Sequence, residues 1–208
     1  MKVSFWNACA VAMALAVTAC GGSGGGATCS VRPCGGDVVG NWSGDSACLD
    51  QMTLNQQFLA SLAGECPTAS ITNVTFVPAG TMAFAADLTY TASVALRGTM
   101  DLNMPASCLN GQTCEMVNAS IQGAVGGEIQ SASCVGSGSC VCTLHMLIEL
   151  EASSGTYATT GTILALTATT GTGDSGNYCV QGSTLHLVDV DMTMPMGRVR
   201  SDIAFNKQ

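Results

Sequence analysis

An internal repeat restricts the fold of this 208-residue chain more than any other feature. Ser154-Gly155-Thr156-Tyr157, followed by Gly161, Leu164 and Leu166, returns as Ser175-Gly176-Asn177-Tyr178, followed by Gly182, Leu185 and Leu187. Each copy reads as strand, turn, strand. Two successive hairpins of equal spacing predict a meander in which each strand pairs with its sequence neighbour, and two copies do not make a solenoid. Just upstream, Thr143 to Glu151 sets Leu144, Met146, Ile148 and Leu150 on one face and His145, Glu149 and Glu151 on the other. That alternation predicts a half-buried antiparallel strand. Val199 to Phe205 is read as a last strand that closes the sheet.

Composition agrees with a β fold. Hydrophobic residues make up 47% of the chain and charged ones only 10%, with 25 glycines, which favours short strands and turns over long charged helices. Ser70 to Val77 and Thr81 to Leu102 read as consecutive antiparallel strands broken near Pro78-Ala79-Gly80 and Arg97-Gly98. Two short helices interrupt the pattern. From Thr53 to Ala63, Leu54, Phe58, Leu59 and Leu62 fall at helical spacing, with Thr53 as N-cap and Gly64 and Pro67 as terminators. From Gln112 to Gln130, Val117, Ile121, Val125 and Ile129 predict an amphipathic helix packed across the sheet or barrel mouth, weakened near its end by Gly126 and Gly127.

At the start of the chain, Lys2 precedes an apolar run from Val3 to Val17 of about 15 residues, too short for a membrane helix and shaped like a signal sequence. Val17-Thr18-Ala19-Cys20 follows, then Gly21-Gly22-Ser23-Gly24-Gly25-Gly26. This stretch resembles a bacterial lipobox, which implies that Cys20 is acylated and becomes the new N-terminus. The resemblance divides the chain into a signal peptide (1–19), a lipidated flexible tether (20–36) and a β domain (37–208). Gly21 rather than Asp after the cysteine resembles signals that allow transfer to the outer membrane. The several acyl chains implied would hold firmly where one chain holds only marginally.

Export changes the meaning of the cysteines. With Cys9 in the leader and Cys20 lipidated, ten remain: Cys29, Cys34, Cys48, Cys66, Cys108, Cys114, Cys134, Cys140, Cys142 and Cys179. An even set in an oxidising compartment reads as disulfides. Nearest-neighbour pairing joins Cys29 to Cys34, Cys48 to Cys66, Cys108 to Cys114, Cys134 to Cys140 and Cys142 to Cys179. Cys140 and Cys142 flank Val141 on one face of a strand and need separate partners. Zinc and thioredoxin-like chemistry both lack a CxxC pair.

Gly40-Asn41-Trp42 resembles the first strand of lipocalin-like domains, where the tryptophan closes the barrel bottom. Phe84, Asp87, Thr89 and Tyr90 resemble the F-x-x-D-G-T-Y hairpin of the same families, although Leu88 stands where the motif has glycine, which speaks against a tight primed turn. With the Tyr157 and Tyr178 hairpins, these segments are similar to the lipocalin-like domain of bacterial exported lipoproteins. The resemblance implies an all-β, up-and-down antiparallel barrel of about eight strands, whose interior is either filled or holds one small apolar ligand.

No constellation points to catalysis. His145 shares a solvated face with Glu149 and Glu151, and neither it nor His186 has a recognisable nucleophile beside it. Glu149 and Glu151 lie side by side on one strand, whereas paired acid and base work needs opposed carboxylates. Met192, Met194 and Met196 suit Cu(I) by chemistry but are read as core filling. Asp189 and Asp191 lack a calcium loop. The sequons at Asn41, Asn73 and Asn118 lose their meaning in a bacterial lipoprotein. With 14 acidic against 6 basic residues, nucleic acid is a poor partner. The expectation is a non-enzymatic envelope lipoprotein without cofactor or metal. It is held to the membrane through Cys20 and binds a small hydrophobic ligand or a partner, the alternatives being a filled barrel with an interaction role or, behind it, an envelope enzyme or copper-binding protein.

Overall fold

The computed structural model describes residues 31–62, 66–150, 152–170, 173–194 and 197–208. The leader, Cys20, Cys29, Glu151 and Met196 therefore lie outside the described residues, as do the side chains of Phe58, Leu59, Leu62, Met192, Met194 and Val199. In chain order the elements are β1 (Gly40–Leu49), α1 (Gln51–Leu62), β2 (Ser70–Phe84), β3 (Thr89–Met104), α2 (Cys114–Gln122), β4 (Ile129–Val135), β5 (Cys140–Glu149), β6 (Ser153–Thr160), β7 (Ile163–Ala168), β8 (Gly173–Gln181), β9 (Thr184–Met194) and β10 (Gly197–Lys207). A 3-10 turn, Ala106–Cys108, follows β3.

All strand pairs are antiparallel, in the order β2-β1-β10-β9-β8-β7-β6-β3-β5-β4, and β2 also pairs with β3. That extra pairing closes eight strands into a ring, the up-and-down barrel expected. β3 is long enough to serve two neighbours: Thr89 to Ala92 pair with β6, and Ala95 to Met104 pair with β5. Beyond this fork β5 and β4 leave the ring as a wing, covered by α2.

The repeat does fold as two hairpins. Thr160 pairs with Ile163 across Gly161, and Gln181 with Thr184 across Gly182, each glycine at φ 60°. Positive φ at the first central residue alone is the II′ turn, whose twist matches the strands. Leu164, Leu166, Leu185 and Leu187 are buried, as are Leu144, Met146, Ile148 and Leu150. Tyr157 and Tyr178 point inward and donate their hydroxyls to the Ala85 and Gly36 carbonyls at 2.9 Å each.

Several local expectations are corrected. Pro78 to Gly80 does not break the strand. Pro78 lies opposite a gap in the β1–β2 ladder between Ser43 and Ala47, and an interrupted ladder tolerates a residue without an N–H. Gly98 is also internal. A Cβ there would run into the Phe76 ring, so the glycine marks a close approach rather than a turn. The hairpin forms instead at Ala85 to Leu88. Leu88 takes φ 69° in the glycine position, while the Asp87 carboxylate accepts the Thr89 N–H at 3.0 Å and its hydroxyl at 2.6 Å. The α1 cap is Asp50, whose Oδ1 accepts from the N–H groups of Met52 and Thr53 and whose Oδ2 accepts the Thr53 hydroxyl. α2, capped by Thr113, stops at Gln122. Gly126 and Gly127, both at positive φ, turn the chain back, so Ile129 opens β4.

Nearest-neighbour disulfide pairing is overturned. The bridges join Cys34 to Cys179, Cys66 to Cys108, Cys114 to Cys140, and Cys134 to Cys142. Cys48 is also disulfide-bonded. Sheet register decides one of these pairs: Cys134 and Cys142 are directly opposite across β4 and β5. Cys140 and Cys142 do take separate partners. The segment expected to be free tether up to residue 36 is attached from Val31 onward. The Val31 N–H donates to Asp202 at 3.4 Å, those of Cys34 and Gly35 donate to the Tyr178 carbonyl, and Cys34 is bridged to β8.

Candidate functional site

A barrel binds in its interior or on its exterior, and side-chain size decides which. The positions turned inward carry Trp42, Met82, Leu96, Leu164, Tyr178, Leu185, Leu187 and Phe205, all under 2% exposed. Trp42, the residue expected to close the bottom, is wholly buried. Its Nε1 donates to the Val38 carbonyl at 2.8 Å, and the Lys207 ammonium lies 5.4 Å from its ring centroid. Phe84 stacks with Tyr90 and meets Tyr157 edge-on at a centroid distance of 5.1 Å. The arm from Cys34 to Val39 passes beneath this end. At the other end α1 packs against β2 and β10, with Leu54 buried in the core.

The described clefts lie at the rim of this packed body. One, of about 580 Å³, sits at the fork of β3, where Gly80, Ala79, Ser93 and Ala95 form a floor of small residues between Arg97 and Glu149. Arg97 pairs with Leu147 and Ala95 with Glu149, so the two charges occupy diagonal positions on one face. Such neighbours stand about 7–8 Å apart, a span suited to a group that offers both an acceptor and a donor. A second cleft of about 280 Å³ lies at the base of the wing, beside Asn103, Met104 and Val141.

Beside the fork, β2, β3, β5 and β4 present a polar outer face. The Thr75 and Thr99 hydroxyls are 2.8 Å apart, and Thr99 stands opposite His145, itself opposite Ser131. Asp101 accepts from Asn73 Nδ2 and the Thr143 hydroxyl, at 2.7 Å each, and these bonds hold its carboxyl below the usual carboxylate range. His145 and Glu149 are exposed on this face, as the alternation requires.

His186 has a different setting. It stands opposite Cys179 on one side and Ala204 on the other, half-buried on the outside of the ring. Cys179, Val188 and Ala204 are buried there yet stand apart from the barrel core. Asp202 is buried with them and accepts the Asp189 N–H at 3.0 Å, where β9 bulges with Asp189 at φ 56°. Burial raises the Asp202 carboxyl above the usual range and Asp189 adds to this, against the backbone donors and His186. Sequence reasoning missed this grouping because Cys179, His186 and Asp202 meet only through the β8–β9–β10 register.

Among the described residues, no group of three or more His, Cys, Asp or Glu converges as a metal site would, and no helix is long and apolar enough to cross a membrane. Compared with known proteins, the chain matches no family model and no curated sequence.

Proposed function

We propose that this chain is an exported lipoprotein, anchored through Cys20, whose filled barrel is a rigid scaffold for binding through its outer surface rather than a carrier of an apolar ligand. The observation that carries the reading is the packing of the ring: Leu96, Leu164, Tyr178, Leu185, Leu187 and Phe205 are all under 2% exposed inside it, and an eight-stranded interior is just wide enough either for such side chains or for one small ligand. Support for export comes from the lipobox-like Val17 to Cys20 and from the nine described cysteines, all of them disulfide-bonded. The fork cleft, bracketed by Arg97 and Glu149, is the binding site that best suits this role, and no catalysis is part of it.

Native mass spectrometry of the chain purified from membranes tests the scaffold. The expected mass is that of the acylated polypeptide alone, with no uptake of fluorescent fatty acid, and a stoichiometric co-purified apolar molecule would overturn the reading. The anchor is tested separately: Cys20→Ser releases the protein from membranes and removes acyl label, and a variant that stays attached contradicts it.

A further inference from the structure

The outer face of β8, β9 and β10 holds groups that a purely structural crosslink does not need. Cys179 on β8 lies directly opposite His186 on β9, which puts their Cβ atoms about 4.5–5.5 Å apart. Asp202 on β10 sits one pleat from Ala204, the other cross-strand neighbour of His186, and interacts electrostatically with the imidazole. The two sulfurs of the bridge differ in access. Cys179 is fully buried, whereas Cys34 is exposed, alone in this among the described half-cystines. Exchange begins at the sulfur that a thiolate can reach and proceeds according to how well the other sulfur leaves.

We propose that the Cys34–Cys179 bridge is a thiol–disulfide exchange site for a dithiol reductant, with His186 as the acid that protonates the departing Cys179. One thiolate of the dithiol bonds to Cys34 Sγ as the Cys34–Cys179 bond breaks. The electron pair goes to Cys179, which takes its proton from the imidazolium. The second thiolate then attacks the reductant's own sulfur in the mixed disulfide and releases Cys34, which is protonated from water. The dithiol becomes a disulfide, and two electrons have passed to the bridge.

Asp202 on β10 interacts electrostatically with His186 and with Asp189, which lies on the same strand as His186. Opening the bridge leaves the arm held by hydrogen bonds alone, from the Val31 N–H to Asp202 and from the Cys34 and Gly35 N–H groups to the Tyr178 carbonyl. Gly35 stays paired with β8 through the bond from the Val180 N–H to its carbonyl, so the ring survives.

The test exposes the oxidised full chain to increasing dithiothreitol, quenches with an alkylating reagent and maps the labelled cysteines by mass spectrometry. Cys34 and Cys179 are expected to label first, with the far-ultraviolet circular dichroism unchanged. His186→Asn should slow that opening by about tenfold or more, as loss of a positioned acid does, while Cys66–Cys108 opens at its former rate. Earlier opening of any other bridge, opening together with loss of the β signal, or an unchanged rate in His186→Asn would each overturn the proposal. Should that variant not fold, the pH profile of the unsubstituted chain decides. A rate that follows only the reagent's thiolate fraction rejects the role of His186.

Discussion

In the ring, each strand finds a partner on both sides because β2 returns to β3, whereas in the wing β4 ends the sheet with one edge unpaired by any described strand. The crosslinks follow this difference. Of the bridges with both ends described, Cys114–Cys140, Cys134–Cys142 and Cys66–Cys108 lie in the wing or at its base, and Cys34–Cys179 ties the arm to the ring. Side chains also finish the open edges. Asn118 Oδ1 accepts the Cys134 N–H at 2.8 Å, Gln122 Nε2 donates to the Ala132 carbonyl, and Asn55 on α1 accepts the Ile71 N–H at 2.9 Å where β2 outruns β1. A closed sheet is held by its own pairing and core. An open one needs covalent staples and amides that occupy its free backbone groups.

The largest test of this contrast is Trp42→Ala. It should cost the ring about 3–5 kcal/mol, seen as a lower denaturant midpoint, because the cavity lies where both the core and Lys207 converge. A change under about 1 kcal/mol would mean that the ring is not core-held. Next is the paired change Cys114→Ser with Cys140→Ser. Chain-entropy reasoning gives about 3.5 kcal/mol for a loop of this length, and the loss should fall on wing amides in hydrogen exchange. Asn118→Ala should cost about 1–2 kcal/mol by leaving the Cys134 N–H unpaired. Multi-angle light scattering should then show concentration-dependent association through β4, and a strictly monomeric variant would show that the amide does not guard the edge. The smallest effect, and the one of opposite sign, is Leu88→Gly. The other non-glycine residues at positive φ among the described residues are Asn73, Asn110 and Asp189, types that tolerate this conformation, whereas Leu88 is 54% exposed and branched. Relieving it should raise stability by about 1 kcal/mol in thermal unfolding.

How far the fold was legible depends on what each residue answers to. The alternation from Leu144 to Leu150 and the paired turns at Gly161 and Gly182 are local physics, and both stand in the structure. Pro78 and Gly98 misled because their usual meaning as breakers gives way to a neighbour, the gap in the β1 ladder in one case and the Phe76 ring in the other. Ile129 extended the helical spacing of α2 by coincidence, and its partner is Met146 on β5. The Cys134–Cys142 pair and the Cys179–His186 juxtaposition were not legible because they depend on strand register, and the other bridges because they depend on where the arm, α2 and the 3-10 turn meet the sheet, none of which sequence distance encodes. The fork cleft was hidden for a related reason: it exists only because β3 changes partner between Ala92 and Ala95.

Amide hydrogen exchange on the fully oxidised and the fully reduced, alkylated chain tests the central distinction most directly. Ring amides in β1, β7, β9 and β10 should keep their protection after reduction, while those of β4, β5 and α2 exchange freely. Equal loss of protection in the ring and the wing would contradict the account, because the ring would then depend on its crosslinks as much as the open sheet does.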